Sequence, residues 1–289
     1  MCSCHAFGVV VPSSGCERNR WASAPVIRLI LLLTACGGTS PNTEANAATT
    51  NEETTLTVFA AASLTESFTK IAAEFESRHP EIYILPNFAG SQSIRLQLEH
   101  GARADVFVSA NTLHADALLA AGLIQPPTIF THNRLVVITP AHNPAGITTL
   151  HDLAQPGLKL VLAGPEVPVG RYARQSLEKL SHPAMFGAAF QTQVQQNVVS
   201  EEDTVKGVVA KVQLGEADAG IVYASDVTPA VADALHVIKI PDEYNVIADY
   251  PIAVVTGTAK PDLAQQLVDF VLSPAGQKIM NEYGFQTGP

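Results

Sequence analysis

The chain has 289 residues, with 17 Lys and Arg against 27 Asp and Glu, for a formal net charge of −10. This negative balance argues against nucleic acid or an anionic membrane surface as a partner. Its four cysteines (Cys2, Cys4, Cys16 and Cys36) all precede residue 37, and its nine histidines form no HExxH, which excludes a disulfide framework or a cysteine metal site in the body and argues against a metalloenzyme.

Residues 1–35 read as a signal peptide of the lipoprotein type. An apolar run over 26–35, with Arg18 and Arg20 before it and Arg28 inside it, closes on Leu33-Thr34-Ala35-Cys36. That is a lipobox, in which Cys36 becomes the acylated first residue of the mature protein. The run falls short of the roughly 20 apolar residues needed to span a bilayer. The expected location is therefore exported and lipid-anchored at the cell membrane, facing the extracytoplasmic side. The segment over 1–20 is long for the start of a signal peptide and leaves room for a later start codon. Residues 36–55, rich in Thr, Asn, Ala and Glu, have no large apolar side chain with which to offset ordering entropy and read as a flexible linker.

The body then alternates strands and helices. A strand is expected over 56–60, followed by a helix over 64–77 whose Leu64, Phe68, Ile71, Ala72 and Phe75 share one face. A strand over 82–86, a short helix over 94–100 stopped by Gly101, a strand over 105–109 and a helix over 113–121 ending at Gly122 come next. A β-branched strand over 134–139 opens a second set. This set comprises a strand over 159–163, helices over 170–180 and 204–214, and strands over 219–224 and 237–240. A strand over 250–255 returns to the first set, and helices over 263–272 and 275–283 close the chain. The alternation implies two α/β lobes with mainly parallel sheets. Lobe I is expected over 56–134 and 250–289 and lobe II over 135–249, joined by a two-segment hinge near Arg134 and Tyr250. Ligands in such folds bind beyond the carboxyl ends of strands, where helix N-termini point.

Four loop-to-helix junctions stand out: Ala62-Ser63-Leu64, Gly90-Ser91-Gln92-Ser93, Val167-Pro168-Val169-Gly170 and Asp203-Thr204-Val205. Each offers free backbone N–H groups, and the first two add a hydroxyl. Ser63 and Glu66 also fit an S-x-x-E capping box. A serine at a helix start is ordinary capping when it stands alone; here several small-residue helix starts recur in one exported, two-lobed body. Enzyme motifs are weaker. Residues 90–93 are not a GxSxG nucleophile elbow, residues 164–171 lack the Lys-Ser/Thr end of a phosphate-binding loop, and Asp105, Asp116 and Asp152 are dispersed.

The stretches VFAAASLTESF (58–68), NFAGSQSIRLQLEHGARADVFVSAN (87–111), NRLVVITP (133–140), VPVGRYARQSL (167–177) and KVQLGEADAGIVYASD (211–226) resemble, in this order, the molybdate-binding proteins that feed ABC importers. The resemblance implies a type II periplasmic-binding-protein fold, with a tetrahedral oxyanion held between the lobes. It implies hydroxyl and backbone donors at Ser63 and Ser91, backbone N–H donors at Val169 and Val205, and a phenol donor at Tyr223. The implied ligand is molybdate or tungstate, with no catalytic residue, no cofactor and no metal beyond the oxyanion. The implied partners are the permease subunits of an ABC transporter, with the protein itself a monomer touching the membrane only through its anchor. One departure is that the family's Gly-Ser-Ser-Gly reads Gly90-Ser91-Gln92-Ser93 here. The region before Val205 is also longer than in the shortest members, and a subgroup that brings carboxylates to the metal leaves Glu201, Glu202 and Asp203 open as ligands. The alternatives are another tetrahedral oxyanion such as sulfate, or an exported serine hydrolase using Ser63 or Ser91.

None of the five donors is cationic. Helix N-termini carry roughly half a positive charge, and hydrogen bonds to a charged group contribute about 1.5–3 kcal/mol each. Several neutral donors in a dry cleft thus suffice for submicromolar binding.

Overall fold

The computed structural model describes residues 54–287. The signal peptide, Cys36 and nearly all of the linker lie outside the described residues. Among the described residues, no helix is long and apolar enough to cross a membrane.

The chain opens with β1 (Thr54–Ala61), a 3-10 turn (Ala62–Leu64), α1 (Thr65–Arg78), β2 (Ile82–Ala89), α2 (Ser91–Glu99), β3 (Val106–Val108), α3 (Thr112–Ala120) and β4 (Thr128–Asn133). After Arg134 come β5 (Leu135–Pro140), β6 (Leu160–Ala163), α4 (Pro168–Leu180), α5 (Phe190–Gln196), β7 (Val198–Glu202), α6 (Val205–Gln213), β8 (Ala219–Tyr223), α7 (Pro229–Ala232) and β9 (Leu235–Lys239). The chain ends with β10 (Ala248–Val254), α8 (Pro261–Leu272), α9 (Pro274–Glu282) and β11 (Gln286–Thr287).

These strands build two sheets, ordered β11-β4-β10-β3-β1-β2 and β7-β6-β8-β5-β9. A single residue, Arg134, separates β4 in the first sheet from β5 in the second. The return passes between β9 and β10. Pairing is mixed and not mainly parallel. β1 runs parallel to β2 and β3, and β6 runs parallel to β7 and β8. The strands flanking the two crossings, β4, β5 and β10, pair antiparallel with all their neighbours. A strand entering a sheet directly from the other lobe has no crossover helix to turn it parallel.

The first sheet is covered on both faces. Phe68, Ile71 and Phe75 of α1 and Leu267 and Val271 of α8 pack into a core that continues through Phe130, Leu135 and Tyr250 into the second sheet. On the opposite face Phe59 and Phe107 meet Ile94 and Leu98 of α2 and Leu118 of α3.

Register brings the site together. β1 and β2 pair in phase to their last residues, Ala61 against Ala89. Ser63 and Ser91, each two residues further on, therefore emerge side by side at the same sheet end. In the second sheet Ala163 pairs with Glu202, so the turns leading to α4 and α6 leave together.

Candidate functional site

Ala61, Ala62, Ser63, Gly90, Ser91, Ala110, Val167, Pro168, Val169, Thr204, Val205 and Tyr223 line one small cavity where these strand ends and helix starts converge. All five sequence-predicted donors are brought to it, from five different elements.

Ser91 is the first residue of α2 and is 1% exposed. Its Oγ accepts from the Ala110 backbone N–H at 3.0 Å, which leaves the hydroxyl proton for donation. Ser63 takes a different role from the one its S-x-x-E pattern suggests. It sits in the 3-10 turn ahead of α1, whose start has no side-chain cap. Its Oγ lies 2.9 Å from the Tyr250 hydroxyl, while Glu66 pairs with Lys206. The capping-box reading fails because a long-range partner, Tyr250, recruits the hydroxyl. Asn133 Nδ2 donates to the Tyr250 oxygen at 3.4 Å and to Ser225 Oγ at 2.7 Å. An amide N–H₂ only donates, so Tyr250 is free to donate to Ser63 and Ser63 to donate into the cavity. Sequence reading places Tyr250 at the hinge and misses this network, because Ser63 and Tyr250 are 187 residues apart.

Val169 is the second residue of α4 and Val205 the first of α6, so both backbone N–H groups belong to first turns, which have no intrahelical acceptor. The Thr204 hydroxyl caps α6 by accepting from the Gly207 N–H at 3.2 Å. The closeness of α4 to its sheet depends on Gly170, where a Cβ would lie 2.1 Å from the Gly164 carbonyl oxygen and 2.3 Å from that of Ala163.

Tyr223 ends β8 and is 1% exposed, and its hydroxyl has no hydrogen-bond partner among the described residues. Burial pushes the phenol well above its ordinary pKa, with Tyr250, Tyr172 and Asp226 acting the same way, so it remains a donor. A buried polar atom without a partner costs about 1–3 kcal/mol, and here it belongs to a residue lining the cavity.

The charged neighbours are turned elsewhere. Lys206 Nζ reaches Glu66 on α1 at 2.7 Å and the fully buried carboxylate of Asp226 at 3.2 Å. Burial pushes Asp226 up to about 6 against the pull of Lys206. Burial would lower the Lys206 ammonium, but Asp226 and Glu66 outweigh it and hold it above its ordinary value. Arg171 lies 3.9 Å from Glu166. Glu201 pairs with Arg174 and Glu202 with Lys211, and among the described residues no carboxylate residue, Asp203 included, lines the cavity. Asp105 accepts from the Thr57 N–H, and Asp152 from the Thr148 and Thr149 N–H groups, which hold it at about 2. Among the described residues no group of His, Cys, Asp and Glu is placed to hold a metal ion, and neither Ser63 nor Ser91 is hydrogen-bonded to a histidine or carboxylate.

Besides the Asn133–Ser225 bond and the Tyr223–Tyr250 ring contact, side chains around the cavity cross between the parts carrying the two sheets. Gln92 Nε2 donates to the Asp203 carbonyl at 2.9 Å, His114 Nε2 lies 3.2 Å from the Glu166 carbonyl, and Lys206 meets Glu66.

Residues 56–286 match the model of the bacterial extracellular solute-binding proteins. The molybdate-binding protein ModA of Mycobacterium tuberculosis is 38% identical over 258 residues, covering 89% of this chain and 94% of that protein. A putative ABC transporter substrate-binding lipoprotein of Bacillus subtilis, YvgL, is 29% identical, covering 88% of this chain and 93% of the relative. Among solved structures, the substrate-binding domain of a putative molybdenum ABC transporter from Clostridium difficile aligns with a TM-score of 0.62 at 29% identity, covering 82% of this chain and all of that one. These relatives are solute-binding proteins and not enzymes. The chain belongs to the bacterial extracellular solute-binding protein family and has its two-lobed type II fold.

Proposed function

We propose that this chain captures molybdate, and tungstate with it, in the cavity between its two lobes and delivers it to the permease of an ABC importer. Ser63, Ser91 and Tyr223 serve as hydroxyl donors and Val169 and Val205 as backbone donors. The observation that carries the reading is the composition of the cavity wall: three buried hydroxyls and the starts of α2, α4 and α6, with neither a cation nor a carboxylate among the lining residues. The acceptor side of Ser91 is engaged by Ala110, and that of Ser63 by Tyr250 in the donor order described above. A protonated oxyanion would thus turn its own O–H toward donors, which favours fully deprotonated tetrahedral dianions over hydrogen phosphate at neutral pH. The ModA relative supports molybdate over sulfate.

Lobe I over 56–134 and 250–289 and lobe II over 135–249 would then close about the segments at Arg134 and before Tyr250, since donors from both must reach one small anion. Cys36 would carry the lipid anchor of a monomeric carrier, as in the Bacillus subtilis relative described as a lipoprotein.

The test is retention. Protein incubated with molybdate, tungstate or sulfate and then desalted is expected to keep about one equivalent of molybdenum or tungsten. Retention of sulfate alone would redirect the reading to a sulfate carrier. Retention of none would reject it.

A further inference from the structure

Gln92 makes a direct hydrogen bond between α2 and the turn leading into α6. Its Nε2 donates to the Asp203 carbonyl at 2.9 Å, two residues before Val205. Its Oε1 is buried without a partner, so this single bond holds the carboxamide in place. The carboxamide lies folded back over Gly90. A Cβ on Gly90 would fall 2.4 Å from Gln92 Nε2, 2.5 Å from Oε1 and 2.6 Å from the Asp203 carbonyl oxygen. Gly90 has φ −58° and ψ 141°, a conformation any residue adopts, so the position requires space and not backbone freedom. Gly90 lines the cavity, whereas Gln92 does not. The absent side chain at Gly90 lets the second lobe's backbone descend onto the first, and the long side chain at Gln92 grips it there.

We propose that Gln92 is a positioning residue of the binding site. With Gly90, it sets how far the cleft shuts and how slowly the bound oxyanion leaves. The proposal rests on the oxyanion reading of the cavity. It predicts that Gln92 acts on the closed state and on release, not on capture or on folding. Lys206–Glu66 and His114–Glu166 also cross the cleft, so removing Gln92 loosens closure without abolishing it.

The experiment measures association and dissociation of labelled molybdate on the full-length protein and on Gln92→Ala, Gln92→Glu and Gly90→Ala, with the melting temperature of each before ligand is added. Gln92→Ala is expected to release molybdate about three- to tenfold faster, the scale of one net hydrogen bond. Its association rate and ligand-free melting temperature should match the parent. Gln92→Glu keeps the length but sets an acceptor against the Asp203 carbonyl, and should release at least as fast. Gly90→Ala should weaken binding further and leave the radius of gyration uncontracted at saturating molybdate. Release from both Gln92 variants at the parent rate, with molybdate bound normally by the parent, overturns the latch alone. A parent that binds no molybdate overturns the oxyanion reading and the latch with it.

Discussion

Replacing Tyr223 with phenylalanine separates binding from folding. The ring stays packed edge-on against Tyr250, at 5.9 Å between centroids, and the hydroxyl has no bond within the fold to lose. The melting temperature without ligand should therefore hold or rise slightly. Against a bound dianion, the same hydroxyl is worth about 1.5–3 kcal/mol, so molybdate affinity should fall about ten- to 150-fold. The consequence for thermal unfolding follows from linkage. At a ligand concentration about 1,000 times the parent dissociation constant, the parent gains about 4.1 kcal/mol on binding. The variant would gain about 1.4–2.9 kcal/mol less at the same concentration. At roughly 2–4 °C per kcal/mol for a domain of this size, the ligand-induced rise shortens by about 3–12 °C. Scanning calorimetry of both proteins with and without molybdate reads all four values. A variant whose affinity stays within twofold of the parent removes Tyr223 from the donor set, and a drop of several degrees without ligand means the hydroxyl supports the fold instead.

Other expectations follow from neighbouring residues. Ser91→Ala and Ser63→Ala should each weaken molybdate binding on the same scale, but both should also lower stability by about 1 kcal/mol, because Ala110 N–H and the Tyr250 hydroxyl lose their partners; denaturant titration without ligand distinguishes them from Tyr223→Phe. Gly170→Ala should destabilise by about 1–3 kcal/mol or more, since the added Cβ has only backbone to push against; an unchanged melting temperature would show that α4 can shift freely. Asp226 has its pKa raised by burial to about 6 in the folded protein. Its contribution is therefore fully present below the ordinary carboxylate pKa and is lost as pH rises through about 6. Asp226→Asn should flatten the melting temperature against pH between about 4 and 6, and a profile parallel to the parent's would contradict the assignment.

The helix starts that build the site were legible because small residues and hydroxyls cluster where strands give way to helices, as at Gly90-Ser91 and Val169-Gly170. Much of the remainder depends on partners far away in sequence. Ser63 carries a local pattern identical to a capping box, and only the fold brings Tyr250 to its hydroxyl. The first turn of α2 lies ahead of the helix expected over 94–100 because Ser91 and Ser93 favour caps and turns over helix interiors, and only the fold brings the Ala110 N–H to the Ser91 hydroxyl there. The α5–β7 segment escaped because Phe190 and Val194 are its only fully buried hydrophobic residues within a Gln-rich run. Strand and helix alternation suggested parallel sheets, yet β4, β5 and β10 carry no local mark that they enter directly from the other lobe. Tyr223 was found through the GIVY stretch, while the absence of any partner for its hydroxyl is visible only in three dimensions.

The central claim is that neutral donors alone hold a deprotonated oxyanion. Its most direct test is calorimetric titration with molybdate and phosphate side by side at neutral pH, on the parent protein and on Arg171→Ala. The expected result is submicromolar molybdate binding in both proteins and no measurable phosphate binding in either. Phosphate binding as tight as molybdate, or molybdate binding lost in Arg171→Ala, would contradict the account and put a salt-bridged anion site in its place.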